Sequence, residues 1–306
     1  MALKEYLATE VALDHADGLL SRREALHKLG LLGLSAAAAS SLLTACASQG
    51  APPASAPGTP SAAAAPSAPA TPSSPPDYDV AAALARTQQI TFPGGTGTMS
   101  GSFAPADNPK GAVLVIHENR GLTDHIRAVG GRLAGDGYTT LAPDLLSRAG
   151  GTAGVPDATA ALGAISTPDL VTDIRSALTE LGKRASGAKL GIVGFCFGGG
   201  MVWQTLNSGP SDLVAAVPFY GPSPDNPTFT GSRAAVLGIF AEKDARVNAG
   251  KDKLDKALTA AGLTHEFVVI PGVDHAFFND TGPRYNEPAA AQAYKQMLDW
   301  FGTHLK

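Results

Sequence analysis

Residues 77–306 of this 306-residue chain read as one α/β domain, a mostly parallel, doubly wound sheet with helices on both faces. Two observations predict this fold class. Short apolar runs such as Ala112–Ile116, Leu190–Val193 and Ala235–Phe240 read as buried strands, and segments of helical periodicity lie between them, so strand and helix alternate. The residues able to do chemistry also fall just after those runs, and open α/β sheets bind ligands at the carboxyl ends of their strands.

Taken in order, residues 88–92 and 97–103 form an opening hairpin around Pro93-Gly94-Gly95. A strand follows at 112–116, a helix at 123–134 and a strand at 139–142. The next helix runs from Thr167 to about Leu181, with Thr167 as N-cap and Pro168 at its first position. A strand at 189–193 leads into a helix from Phe197. Further strands are expected near 214–219, 235–240 and 266–270, and a last helix from Glu287 to Phe301. No internal repeat is evident, and a domain of this size can bury a substantial core.

The amino-terminal third reads differently. Residues 1–45 look like an export signal: Arg22-Arg23 precedes an apolar stretch from Leu29 to Leu43 that is short for a permanent membrane span. Leu43-Thr44-Ala45-Cys46 resembles a lipobox, in which Cys46 is acylated and becomes the new N-terminus. An uncleaved hydrophobic helix is the plain alternative. Residues 46–76 are almost entirely Ala, Pro, Ser, Gly and Thr, which predicts an extended, disordered tether. The expected location is therefore extracytoplasmic, with the protein held at a membrane by a lipid anchor.

Charge is near balance, 23 Lys and Arg against 27 Asp and Glu, and no basic patch suggests nucleic acid as a partner. No metal-ligand spacing or phosphate-binding glycine motif stands out, so neither metal nor cofactor is expected. The two cysteines are Cys46 and Cys196; if the first is lipidated, the second has no intramolecular partner.

The most informative segment is Gly194-Phe195-Cys196-Phe197-Gly198. It reads as a strand-turn-helix elbow, in which Gly194 and Gly198 let strand and helix pass close together. At the helix N-terminus Cys196 is placed to ionise and act as a nucleophile. Asp244 follows a later apolar run and His275 a further one, which is the nucleophile, acid, histidine order of α/β-hydrolases. Each has a simpler reading: a buried turn cysteine, a helix-capping aspartate near Val247, and a solvated loop histidine.

With Ile116-His117-Glu118-Asn119-Arg120-Gly121 ending a central strand, and with Ala142-Pro143-Asp144-Leu145 and Asp274-His275-Ala276-Phe277, residues 80–306 resemble the dienelactone hydrolase family. The resemblance implies a lactone or small-ester substrate, attacked by Cys196 to give a thioester acyl-enzyme, with His275 moving protons and Asp244 orienting it. It implies that Glu118 helps ionise the thiol when substrate arrives, and that the backbone N–H groups of Phe197 and Asn119 form the oxyanion hole. Glu118 could instead pair structurally with Arg120 or Arg127. Arg148 matches an arginine that binds the substrate carboxylate, although it could be an ordinary loop arginine. Where the family has a second such arginine, this chain has Asn279, and Arg284 is the candidate replacement. Tyr220 stands near the expected rim with Phe195, Phe197, Phe277 and Phe278. Asp144 reads as turn-forming, and His117 as shaping the oxyanion loop. A surface lipoprotein that kept the fold for ligand binding is the alternative from another class; a thiol redox sensor is weaker, because no resolving cysteine is present.

Overall fold

The computed structural model describes residues 3–47 and 79–306. The expected tether lies outside the described residues except for Cys46 and Ala47, which close a helix. Residues 79–306 are built on an eight-stranded sheet of order β1-β2-β4-β3-β5-β6-β7-β8. The strands are β1 (Gln88–Pro93), β2 (Thr98–Ala104), β3 (Gly111–Ile116), β4 (Tyr138–Pro143), β5 (Leu190–Phe195), β6 (Leu213–Phe219), β7 (Ala235–Ala241) and β8 (His265–Ile270). Strand β2 runs antiparallel to β1 and β4, and every other pair is parallel.

The order follows from the sequence. Strands β3 and β5, uninterrupted apolar runs, are buried along their whole length at the centre. Strand β8 opens with two polar residues, is left partly exposed along most of its length, and takes an edge. Along β5 the side chains point alternately to two faces. Leu190 lies against Gly182 of helix α7 (Thr167–Arg184), whereas a Cβ on Gly191 would meet Phe301 and Leu305, in and just after α11 (Glu287–His304). Helices thus cover both faces. Helix α5 (Asp124–Gly135) joins α11 through Asp136, just past its end, which accepts from Tyr294 Oη at 2.6 Å. Helix α8 (Phe197–Asn207) packs with α7.

The N-cap of α7 is Ser166, not Thr167. Its Oγ accepts from Asp169 N at 3.2 Å, so Thr167 and Pro168 occupy the first turn, where a missing N–H costs nothing. Short helices α4 (Val80–Ala85), α6 (Ala158–Ala164), α9 (Ala245–Asn248) and the longer α10 (Lys251–Ala260) complete this part.

The residues expected to form an export signal are helical. Helices α1 (Leu3–Ala16), α2 (Arg22–Leu31) and α3 (Ala36–Ala47) pack on one another, and α1 and α2 lie against α6. Ser21 and Glu24 form a reciprocal capping box at the start of α2. Leu7 and Leu32 pack onto Gly163, where a Cβ would come within 2.5 Å of Leu32. Lys28 reaches Asp157 at 2.6 Å. Gly33, at φ 92°, breaks the apolar stretch between α2 and α3. No helix among the described residues is long and apolar enough to cross a membrane.

A Cβ placed on Gly194 would lie 2.3 Å from Gly198 O, and one on Gly198 would lie 2.4 Å from Ile116 O. Both obstacles are backbone, which cannot swing aside. Gly198→Ala is therefore expected to cost about 1–3 kcal/mol or more, read as a lower denaturant midpoint; an unchanged midpoint would refute the close packing.

Candidate active site

Cys196 stands between β5 and α8 with φ 57° and ψ −119°, a backbone conformation that an L residue holds only under constraint. The constraint is the contact of Gly194 and Gly198 with each other and with β3. It turns Sγ away from the strand and places it at the start of α8, where the Phe197 N–H points to the sulfur. Asn119, just past β3, is buried and lines the same cleft as Cys196 and Glu118. These are the two residues expected to supply the oxyanion donors.

Asp244 and His275 meet after β7 and β8. The Asp244 Oδ2 accepts from His275 Nδ1 at 2.5 Å, while its Oδ1 accepts from Val247 N at 3.1 Å. Asp244 thus caps α9 through one oxygen and holds the His275 ring through the other. His275 is buried, and its Nε2 faces the cleft with no hydrogen-bond partner among the described residues. Tyr220 packs its ring on His275, with centroids 4.9 Å apart, and also contacts Phe195 and Phe277.

Beneath the cleft, His117 donates from Nδ1 to Glu118 O at 2.7 Å and accepts at Nε2 from Leu145 N at 3.1 Å. These bonds fix a neutral tautomer, and burial lowers its pKa in agreement. The histidine braces the loop that carries Glu118 and Asn119. Asp144 accepts from Leu146 N, Thr152 N and Thr152 Oγ1, as a turn-forming residue does.

Glu118 accepts from Asn279 Nδ2, and its other oxygen is buried without a partner among the described residues. Asn279 and Arg284 both line the cleft beside Cys196. Arg284 donates to Asp17 through Nε and Nη2 and to His275 O at 3.4 Å. Arg148 is not brought to this cleft: it pairs with Asp173 at 2.6 Å and Asp169 at 3.6 Å, both on α7.

One feature is foreign to the sequence reading. Helix α1 enters the cleft and places Tyr6 Oη 3.1 Å from Cys196 Sγ. Glu10 Oε2 lies 3.6 Å from both Cys196 Sγ and His275 Nε2, and Glu10 Oε1 is held by Arg246 Nη2. The apolar residues of α1 form no clear helical stripe, so periodicity carries no signal for this contact. Glu10, Cys196 and His275 present ligand atoms within 4.8 Å of one another, a set of the type that holds a soft divalent cation.

The charges are coupled. Burial pushes the Cys196 thiol up, and the Glu10 and Glu118 carboxylates push it further, so it rests protonated. Burial would lower His275, but Glu10 and Asp244 outweigh it and raise its pKa. Burial would raise Glu10, but His275 and Arg246 outweigh it and lower its pKa.

The elbow, the acid–histidine pair and the mostly parallel sheet define an α/β-hydrolase. The dienelactone hydrolase family model matches residues 99–305, and the chain belongs to that family. It is by class a hydrolase acting on lactones or esters. It is 33% identical over 216 residues to a provisionally named carboxymethylenebutenolidase of Methylorubrum extorquens, covering 64% of this chain and 74% of the relative. A similarly named protein of Escherichia coli is 31% identical over 212 residues, covering 64% and 78%. The crystal structure of a provisionally named dienelactone hydrolase from Klebsiella pneumoniae superposes with a TM-score of 0.64 at 30% identity, covering 71% of this chain and 98% of that one. An esterase of Pyrobaculum calidifontis, at 17% identity and TM-score 0.55, covering 73% and 88%, shares the fold.

The coupling of His275 and Glu10 has a pH signature. A histidine raised above its ordinary 6.5 gives stability that is full below that value and is lost as pH rises through its folded value. A glutamate lowered below its ordinary 4.5 gives stability that is full above that value and is lost as pH falls through its folded value. The melting-temperature difference between the native chain and Glu10→Gln is therefore expected to be largest between pH 4.5 and 6.5 and to shrink on both sides. A difference independent of pH would show that the two groups are uncoupled.

Proposed function

We propose that this hydrolase cleaves lactones or small carboxylic esters through a thioester acyl-enzyme on Cys196. The observation that carries the reading is the constrained Cys196 elbow facing a buried His275 whose Nδ1 is held by Asp244 at 2.5 Å. Neutral His275 accepts the Cys196 thiol proton, and the resulting thiolate adds to the carbonyl carbon, forming the S–C bond and driving the carbonyl electrons onto oxygen. The backbone N–H groups of Phe197 and Asn119 stabilise that oxyanion. Collapse restores the carbonyl, breaks the C–O bond, and the leaving alkoxide takes a proton from His275. In a lactone this oxygen stays tethered to the acyl group. Neutral His275 then removes a proton from water, which attacks the thioester, and the S–C bond breaks to return the thiolate.

Glu118 has the place of a switch in this scheme. As a carboxylate it opposes ionisation of Cys196, and a substrate that displaces or neutralises it favours the thiolate. The Asn279–Glu118 hydrogen bond would hold that carboxylate in a chain with asparagine where the family resemblance places an arginine. Arg284 is a candidate for substrate contact from the same side, beside Tyr220 and Phe277 around His275.

Cys196→Ala is expected to lower turnover of a neutral lactone and a short aryl ester on the order of 10⁴-fold or more while circular dichroism stays unchanged. Wild-type turnover in this variant would overturn the covalent mechanism. Asp244→Asn is expected to lower kcat strongly with little change in KM, because it misorients His275.

The chain is also proposed to be exported and lipid-anchored. Arg22 and Arg23 are exposed on α2, and Cys46 ends α3 as a free thiol. Mass analysis of the membrane-fraction protein is expected to find an acylated N-terminal Cys46; an unmodified Met1 there would overturn this.

A further inference from the structure

Helix α1 fits the cleft through specific groups, not as a loose covering. Tyr6, Leu7, Glu10 and Val11 are each at most 4% exposed, and every acidic residue that α1 turns to the domain meets an arginine there. Glu10 takes Arg246; Asp14 takes Arg120 at 3.5 Å; Asp17, just after the helix, takes Arg284. The Arg246 guanidinium also lies over the Tyr6 ring, 4.6 Å from its centroid. What remains of the cleft beside Cys196 is about 50 Å³, room for a few waters, against the roughly 300–1,000 Å³ of a typical ligand pocket.

The occupied position is the reacting one. Glu10 Oε2 is equidistant from the nucleophile and from the proton-moving nitrogen, 3.6 Å from each. A substrate carbonyl entering between Sγ and Nε2 would have to pass through this carboxylate. Its charge also opposes ionisation of Cys196 and favours the protonated form of His275, both of which work against a nucleophile and a base.

We infer that residues 3–47 form an intramolecular inhibitor, whose helix α1 plugs the Cys196–His275 site with Glu10 and Tyr6 and keeps the unprocessed chain latent. This rests on the proposed function for the activity that is restrained, but not for the plug itself. The open form carries the activity, so the apparent affinity for substrate falls by the fraction of chains that are open. Cleavage before Cys46, if it occurs, would remove Tyr6 and Glu10 and make the release permanent. Activity would then be confined to the processed protein.

The test uses the full chain and two disengaging variants, Glu10→Lys, which sets like charge against Arg246, and Tyr6→Ala. Two readouts are taken: the rate at which iodoacetamide alkylates Cys196, located by peptide mass, and hydrolysis of a neutral lactone and a short aryl ester. The thiolate displaces iodide, forming S–C as C–I breaks, so this arm needs no turnover. Alkylation tenfold or more faster in both variants, with a parallel rise in kcat/KM, is expected. Faster alkylation with no hydrolysis by any form would support the plug and count against the proposed substrates. Equal alkylation in all three chains would overturn the plug. Faster alkylation with hydrolysis lost only in the variants would also overturn it, because Glu10 and Tyr6 would then belong to the working site.

Discussion

The close approach of three backbones at the centre of the sheet is the constraint on which the remaining geometry depends. Gly194 ends the core of β5, Gly198 begins α8, and the carbonyls of Ile116 and His117 at the end of β3 fill the space that side chains would take. Because nothing larger than hydrogen fits, β5 must turn sharply, and Cys196 takes the positive φ that results. The same squeeze brings the loop after β3 beside the sulfur, so Glu118 and Asn119 become cleft residues. Cys196, its neighbour Glu118 and Asn119, the proposed nucleophile, carboxylate switch and oxyanion donor, are positioned by one packing contact between strands that are themselves wholly buried.

Electrostatics then distribute roles among buried acids. Asp244 is paired in both directions, to a helix N-terminus and to His275, so it can hold charge without solvent. Glu118 is satisfied through one oxygen only, by Asn279. In the proposed mechanism that difference would separate a positioning carboxylate, fixed in place, from one whose interactions change when a ligand arrives. His117 stays neutral between Glu118 O and Leu145 N and acts as part of the scaffold. Arg148 illustrates the reverse case: a guanidinium in a suggestive stretch of sequence, but bound by Asp169 and Asp173 on a neighbouring helix and kept from the cleft.

Most of the sheet was legible because its strands are apolar runs of the right length between helical segments, and the elbow because steric demand leaves glycine alone acceptable at two positions. What could not be read was any choice made by tertiary contact. The N-cap moved from Thr167 to Ser166 because both residue types cap well and only packing selects between them. Helix α6 was missed because an alanine-rich turn carries little periodicity, and it is stabilised by the Asp157 cap and by α1 and α2. Arg148 could not be separated from a clamp residue, because its partners lie 21 and 25 positions away. The segment before residue 48 carries an export-like pattern, and α1 has no apolar stripe to announce its packing on the domain.

The packing of α1 on the domain bears on why that helix is acidic. A helix serving export alone has no need to match the far side of the protein, yet Glu10, Asp14 and Asp17 each find an arginine that follows a different strand: Arg246 in α9 after β7, Arg120 after β3 and Arg284 after β8. The Glu10–Arg246 pair is part-buried at the cleft, where an unmatched charge would be costly, so that match is not the indifferent kind seen among exposed side chains. Glu10 in particular is a carboxylate placed among a thiol, a histidine and an arginine, with few solvent contacts to compensate it if any partner were absent. The Arg246 Nε and Nη1 groups have no partner among the described residues even with Glu10 in place. Withdrawal of α1 would leave that guanidinium unpaired beside the nucleophile, so opening the site favours an occupant able to accept its hydrogen bonds. The groups that hold the helix in and the groups that would receive what replaces it are therefore the same.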